Sequence, residues 1–299
     1  MNVTVTGATG LVGTALTHRL LAAGQTVYAL ARKPSDKLPA GVRFSTWNSE
    51  LGQPPPESIA SADAIVHLAG ESIAQRWTPK VKELIRSSRI DGTRHLVAAL
   101  SDQPRRPQVL LSASAIGIYG SRGDEILTES SQTGDSDFLA QLATEWERAA
   151  DSAQELGIRV VRLRLAMVLG KGGALAKMLP AARRGLVRRI GSGEQWVSWI
   201  HIDDATNLIL FALRNLSMRG PLNVSAPDPV KNVDLMTELG AAVGRQGVFS
   251  IPPFALNLVL GEMGSVTLAS QRVVPRAVMA AGFKFAYPQL RPALDSLVS

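Results

Sequence analysis

The chain has 299 residues, of which 45% are hydrophobic and 19% charged, enough to bury a substantial core and too apolar for a disordered chain. It contains no cysteine, which excludes disulfides and thiolate chemistry, and its four histidines lack ligand spacing, so no metal site is expected. The net charge of +7 favours anionic ligands, while the lack of a zinc-finger pattern or an aromatic-plus-basic reading surface argues against nucleic acid.

Met1-Asn2-Val3-Thr4-Val5 has no basic n-region before a long apolar segment, and every apolar stretch breaks well before a bilayer-spanning length. A cytoplasmic location without a membrane partner is therefore expected. Residues 2–6 are a short β-rich run. Leu11, Ala15, Leu16 and Leu20 then recur at helical spacing, Gly24 stops that helix, and residues 26–31 form a second buried strand. This is a β–α–β unit. Residues 62–68 predict another strand, ending at Ala69-Gly70. Thr78 and Pro79 predict the start of a long helix, and residues 108–112 a further strand. Asp137 is placed to cap a helix running towards Leu156, with Gly157 as its stop, and residues 158–163 are the next strand.

Strands alternating with helices and no hairpin signal predict an α/β fold with a mostly parallel, doubly covered sheet and right-handed crossovers. Beyond Leu165 the pattern loosens. Gly170 to Gly173 is a flexible stretch, followed by a basic helix-like segment reaching Arg189. Residues 196–202 look like one strand, Asp203 or Asp204 caps a helix through Leu213, and Asn232 caps another ending near Gly244. Ile251-Pro252-Pro253 opens a region with one or two helices, and Tyr287-Pro288 precedes a last short one. The expected division is 1–165, 166–247 and 248–299.

The strongest motif is Thr6-Gly7-Ala8-Thr9-Gly10-Leu11-Val12-Gly13. Gly7 permits a tight turn, Gly10 lets backbone approach a pyrophosphate, and Gly13 allows close helix–strand packing. The amides of Leu11, Val12 and their neighbours then face a diphosphate at the helix start. The motif follows a strand directly and opens an amphipathic helix, the context a dinucleotide site requires. The second strand ends in Arg32-Lys33 where an NAD site usually offers a carboxylate; Asp36 lies past that position. A guanidinium there suits a 2′-phosphate, so NADP(H) is favoured over NAD(H), against the plainer reading of a solvated basic turn. Leu68-Ala69-Gly70 lets the chain pass close to the same ligand.

Together with that motif, His67-Leu68-Ala69-Gly70 and Ser112-Ala113-Ser114-Ala115-Ile116-Gly117-Ile118-Tyr119-Gly120 resemble the extended short-chain dehydrogenase/reductases. Gly70-Glu71-Ser72-Ile73, Arg76-Trp77, Ser87-Ser88-Arg89-Ile90, the run Gln195 to Asp204, Gly261-Glu262-Met263 and Gly282-Phe283-Lys284-Phe285 narrow this to the NAD-dependent epimerase/dehydratase-like subfamily. The resemblance spans nearly the whole chain. It implies a Rossmann-type doubly wound parallel sheet with a small C-terminal substrate-side region.

In that superfamily a Ser, a Tyr and a Lys share the proton chemistry, the Lys lowering the phenol pKa. Ser114 matches the serine, with Ser112 beside it. The helix after Asp137, which should carry Tyr-x-x-x-Lys, holds neither residue. The catalytic candidates are therefore Ser114, Tyr119, Glu145 and His201, each with a structural alternative: a packing tyrosine, a solvated carboxylate, a histidine tied to Asp203. Glu71, Trp196, Trp199 and Arg183 are candidates for substrate contact, Arg183 within a basic run that equally suits a solvent face. The expected function is an NADP(H)-binding oxidoreductase or epimerase-like enzyme acting on a small polar substrate, a nucleotide sugar among the options, as monomer or homodimer. The alternative is a non-catalytic NADP(H)-binding regulatory or assembly protein.

Overall fold

A computed structural model describes residues 1–247, 249–251 and 261–298. The chain begins β1 (Asn2–Thr6), α1 (Leu11–Ala22), β2 (Thr26–Ala31), β3 (Arg43–Thr46), β4 (Ala64–His67), α2 (Pro79–Ser101) and β5 (Val109–Ala115). It continues through β6 (Ile126–Leu127), α3 (Phe138–Asp151) and β7 (Arg159–Leu165). Then come β8 (Met167–Leu169), α4 (Gly173–Arg183), β9 (Arg188–Ile190), β10 (Trp196–Val197), β11 (Trp199–His201), α5 (Ile202–Arg214) and β12 (Gly220–Val224).

Seven strands form one parallel sheet in the order β3-β2-β1-β4-β5-β7-β12. All seven strands run the same way, and it is their order that reverses between β1 and β4, the switch point of a doubly wound Rossmann-type sheet, where the C-terminal strand ends open a crevice. Alternation along each strand separates the two faces. Val3, Val5, Val27, Ala29, Val66, Val109 and Leu111 pack with Leu16 and Leu20 of α1 and Leu208 and Ile209 of α5. Leu30, Ile65, Leu110 and Val160 face the other way, onto Leu96 and Leu100 of α2 and Ala150 of α3.

Beyond β7 the small elements close over the sheet's C-terminal edge. Here β8 pairs with β11, and β9 with β14 (Phe249–Ile251). β10 runs antiparallel to β13 (Val230–Lys231), and β6 pairs with β15 (Arg272–Val273). α6 (Asn232–Ala242) and the last helix, Leu290–Val298, share a core of Leu235, Leu239, Leu290, Leu294, Trp199 and Leu169.

Thr78 and Asp137 cap α2 and α3 as the sequence predicts, accepting from Val81 N and Ala140 N. Several other expectations change. β3 and β12 were not anticipated: β3 is a short, half-exposed edge strand, and β12 carries Pro221 and Asn223, tolerated because it too lies at an edge. The single strand expected at 196–202 is two strands in different sheets. They break at Ser198, whose hydroxyl donates to Gln271 O and accepts from Val273 N. The basic segment is helical only to Arg183; Gly185, at φ +77°, turns the chain into β9.

The cap of α5 is His201, whose Nδ1 accepts from Asp203 N, rather than Asp203 or Asp204. Asn232 is the first residue of α6 and spends its side-chain oxygen on Ile190 N. The segment opened by Ile251-Pro252-Pro253 lies largely outside the described residues. After it, the described residues contain Met263–Val266, Arg276–Ala280 and Leu290–Val298 as short helices.

Candidate functional site

A cleft of about 630 Å³ opens at the C-terminal ends of β1, β2 and β4. Its floor is the turn from β1 into α1. Gly7 has φ +64°, and a Cβ there would sit 2.6 Å from Leu68 O. A Cβ on Gly13 would lie 2.2 Å from Gly7 O, so α1 packs against the turn at a distance only glycine allows. Gly10 is the N-cap of α1 and supplies no side-chain cap; the first turn has no acidic residue. The positive end of the helix therefore faces the cleft unoccupied by any side chain.

Behind the floor, buried polar groups hold β1, β4, α2 and α3 in register. Thr6 Oγ1 accepts from Leu68 N and Ala69 N, both at 3.1 Å, so its proton goes to His67 Nδ1 at 2.7 Å. His67 Nε2–H then donates to Thr93 Oγ1, which also accepts from Trp146 Nε1 and donates to Arg89 O. Burial pushes the His67 pKa down to about 4, matching the neutral tautomer this network requires. The Arg89 guanidinium lies behind Gly70, 3.1 Å from where a Cβ would be, and over the Trp146 ring. Burial pushes Arg89 down to about 10.

Gly7, Thr9, Gly10, Arg32, Lys33, Leu68, Ala69, Gly70 and Glu71 all line this one cleft. Leu11, Val12 and Gly13 form the adjoining first turn of α1. Trp47, Asn48, Ser49, Glu50 and Ser88, with Leu30 and Ala31 at the end of β2, complete the lining. Trp47 to Glu50 come from the loop after β3, which carries no motif; Gly92 lets that loop press on α2, since a Cβ would meet Ser49 at 2.7 Å. Across the mouth, Arg32 NH1 donates to Glu71 Oε2 at 2.7 Å.

Of the four acid–base candidates, Ser114 and Tyr119 are joined through Glu147 and Arg164 in one buried network, while Glu145 and His201 have other partners. Ser114 is buried and its hydroxyl donates to Glu147 Oε1 at 2.7 Å. Glu147 is also forked by Arg164 Nε and NH2, at 2.7 and 2.9 Å. Arg164 NH1 donates to Tyr119 OH, which donates to Asn223 Oδ1 at 2.7 Å. Tyr119 is fully buried and burial raises its pKa, the opposite of what a proton-transferring phenol needs. Glu145 sits on the outer side of α3 in a two-pronged pair with Arg86 of α2, whose hydrogen bonds hold its carboxyl below the usual range. His201 is buried, its ring stacked 3.9 Å from Tyr287, and burial lowers its pKa.

The substrate candidates scatter. Trp199 is fully buried, donating to Asp228 O. Trp196 lies between Lys231 and Arg272 and donates to Asp124. Arg183 ties α4 to the last helix through Val298 O. Of the four, only Glu71 lines the cleft. A second hollow of about 270 Å³ lies between the starts of α2 and α3, walled by Trp77, Lys82, Arg86 and Phe138. Among the described residues no group of three His, Asp or Glu side chains is placed to hold a metal, and no helix is long and apolar enough to cross a membrane.

The model of the NAD dependent epimerase/dehydratase family matches residues 3–225, and a domain of unknown function, DUF1731, matches 251–297. The epimerase family protein YfhF of Bacillus subtilis is 37% identical over 299 residues, covering 100% of this chain and 98% of its own. A chloroplastic SDR39U1 homolog from Arabidopsis thaliana is 38% identical, covering 100% and 87%. Among solved structures, human epimerase family protein SDR39U1 (isoform 2) with NADPH superposes with a TM-score of 0.88 at 34% identity, covering 100% of this chain and 99% of that one. A nucleoside-diphosphate sugar epimerase from Corynebacterium glutamicum gives 0.80 at 36%; this chain spans 58% of its length. Sheet order, glycine turn and sequence similarity along the whole chain agree: the chain belongs to the NAD dependent epimerase/dehydratase family and carries a small C-terminal DUF1731 module.

Proposed function

We propose that this chain is an NADP(H)-dependent enzyme, an oxidoreductase or epimerase, acting in the cytoplasm on a small polar substrate of the nucleotide-sugar type. The observation that carries the reading is the glycine turn under a cationic rim. Side chains at Gly7 and Gly13 would collide with backbone, the α1 terminus has no cap of its own, and Arg32 and Lys33 stand on the rim of the same cleft. This cradle fits a dinucleotide: the α1 amides face its diphosphate, and Arg32 is in position for a 2′-phosphate. The relative solved with NADPH, similar over the full length, supports the same cofactor here.

When bound, the nicotinamide supplies hydride transfer. The chain's own residues orient the cofactor through Gly7, Gly10 and Gly70, and keep the floor rigid through Thr6, His67 and Thr93. α3 supplies neither tyrosine nor lysine, and Ser114 is engaged by Glu147. That engagement favours a second reading, a binding protein that retains NADP(H) without turnover.

Calorimetry with NADPH and NADH tests the cofactor assignment. Arg32→Ala is expected to weaken NADPH by about 10-fold or more, the worth of one charge-assisted contact, and NADH far less. Equal losses would remove Arg32 from the 2′-phosphate. Turnover assays with nucleotide sugars separate the enzyme from the binding protein: product formation supports the first, tight binding with none the second.

A further inference from the structure

β2 and β4 flank β1 in the sheet, and the glycine turn leaves the end of β1 between them. Arg32 follows β2 and Glu71 follows β4, so their 2.7 Å ion pair spans the cleft from wall to wall. Glu71 is not a loose surface carboxylate. Its backbone N–H donates to Ser88 Oγ at 3.0 Å, and Gln75 Nε2 reaches its other oxygen. Burial disfavours its charge, but the Arg32 hydrogen bond and charge outweigh this and hold the carboxyl below its ordinary range. At neutral pH the Arg32 guanidinium therefore already has an anion, which it holds through a single charge-assisted hydrogen bond to Glu71 Oε2.

We propose that Glu71 is a built-in competitor for the cofactor's 2′-phosphate: its carboxylate holds Arg32 until the phosphate takes its place. The inference rests on the assignment of Arg32 to that phosphate. By linkage, the free energy of the Arg32–Glu71 pair subtracts from the affinity of every ligand that needs Arg32, and from no other. Glu71 therefore narrows the preference for NADP(H) over NAD(H). It is a specificity-determining residue on the wall opposite the one where the second strand's basic end would be sought.

The test uses the full chain with two probes, adenosine 2′,5′-bisphosphate and 5′-AMP, titrated by calorimetry at low ionic strength. Glu71→Gln keeps the side chain's size and its amide neighbours. It is expected to tighten the bisphosphate about two- to fivefold, the worth of a partly exposed ion pair, and to leave 5′-AMP unchanged. The gain should vanish in the Arg32→Ala background, giving a coupling in the double-mutant cycle. If Arg32→Ala selectively weakens the bisphosphate while Glu71→Gln leaves it unchanged or weaker, the competition is overturned and the Arg32 assignment stands. If Arg32→Ala weakens both probes equally, both fall. Glu71→Ala, read against the same probes, repeats the comparison without a side-chain amide.

Discussion

Single atoms decide the glycine turn. A methyl on Gly13 would come within 2.2 Å of a backbone oxygen, which cannot swing away as a side chain can. Gly13→Ala is expected to cost about 1–3 kcal/mol in a denaturant titration, the usual penalty for overpacking. Because the strain falls on Gly7, dinucleotide affinity should drop at least about tenfold in the same preparation. Unchanged affinity in a folded variant would mean that the diphosphate lies elsewhere. His67 illustrates the opposite case: its tautomer follows from counting donors at Thr6, and no spacing rule singles it out.

At the scale of elements, α3 is the helix whose role differs most from expectation. In the fold, Glu147 fastens it to the sheet and Glu145 fastens it to α2. Glu147 is buried and binds Arg164 of β7 and Ser114 of β5, so removing it strands a buried guanidinium. Glu147→Ala should destabilise the fold by about 3–5 kcal/mol in chemical denaturation. Glu145, two residues earlier, pairs with Arg86 in partial exposure, and Glu145→Ala should cost under about 1 kcal/mol. Similar losses at both sites would contradict the burial difference. At the start of the helix, Asp137→Ala removes the cap on Ala140 N and should cost about 1 kcal/mol, seen as a lower thermal midpoint.

Over the whole molecule, buried neutral histidines set an acid limit. The folded His67 pKa, about 4, lies below its unfolded value of about 6.5, so the unfolded chain binds the extra proton first. Stability from this group is complete above pH 6.5 and is lost as pH falls towards 4, by roughly 3 kcal/mol. His201, also lowered by burial, acts in the same direction. Denaturation of wild type and His67→Gln at pH 7 and pH 4.5 checks this: the variant should lose less stability between them. Parallel losses would assign the acid sensitivity to other groups.

The glycine spacing, the strands β1, β2, β4 and β5, the Thr78 and Asp137 caps and the basic end of β2 were legible in the sequence, because each expresses backbone conformation or local periodicity within a few residues. Family membership was legible for the same reason, being carried by contiguous motifs. The small sheets beyond β7 were not, since strands of two or three residues are made by partners far along the chain. Nor was the fate of the acid–base candidates. Whether Ser114 or Tyr119 faces a ligand depends on Glu147, Arg164 and Asn223, which only the folded sheet brings within hydrogen-bonding reach. The pairing of Arg32 with Glu71 likewise needs β2 and β4 set on either side of β1, a juxtaposition that tertiary structure alone creates.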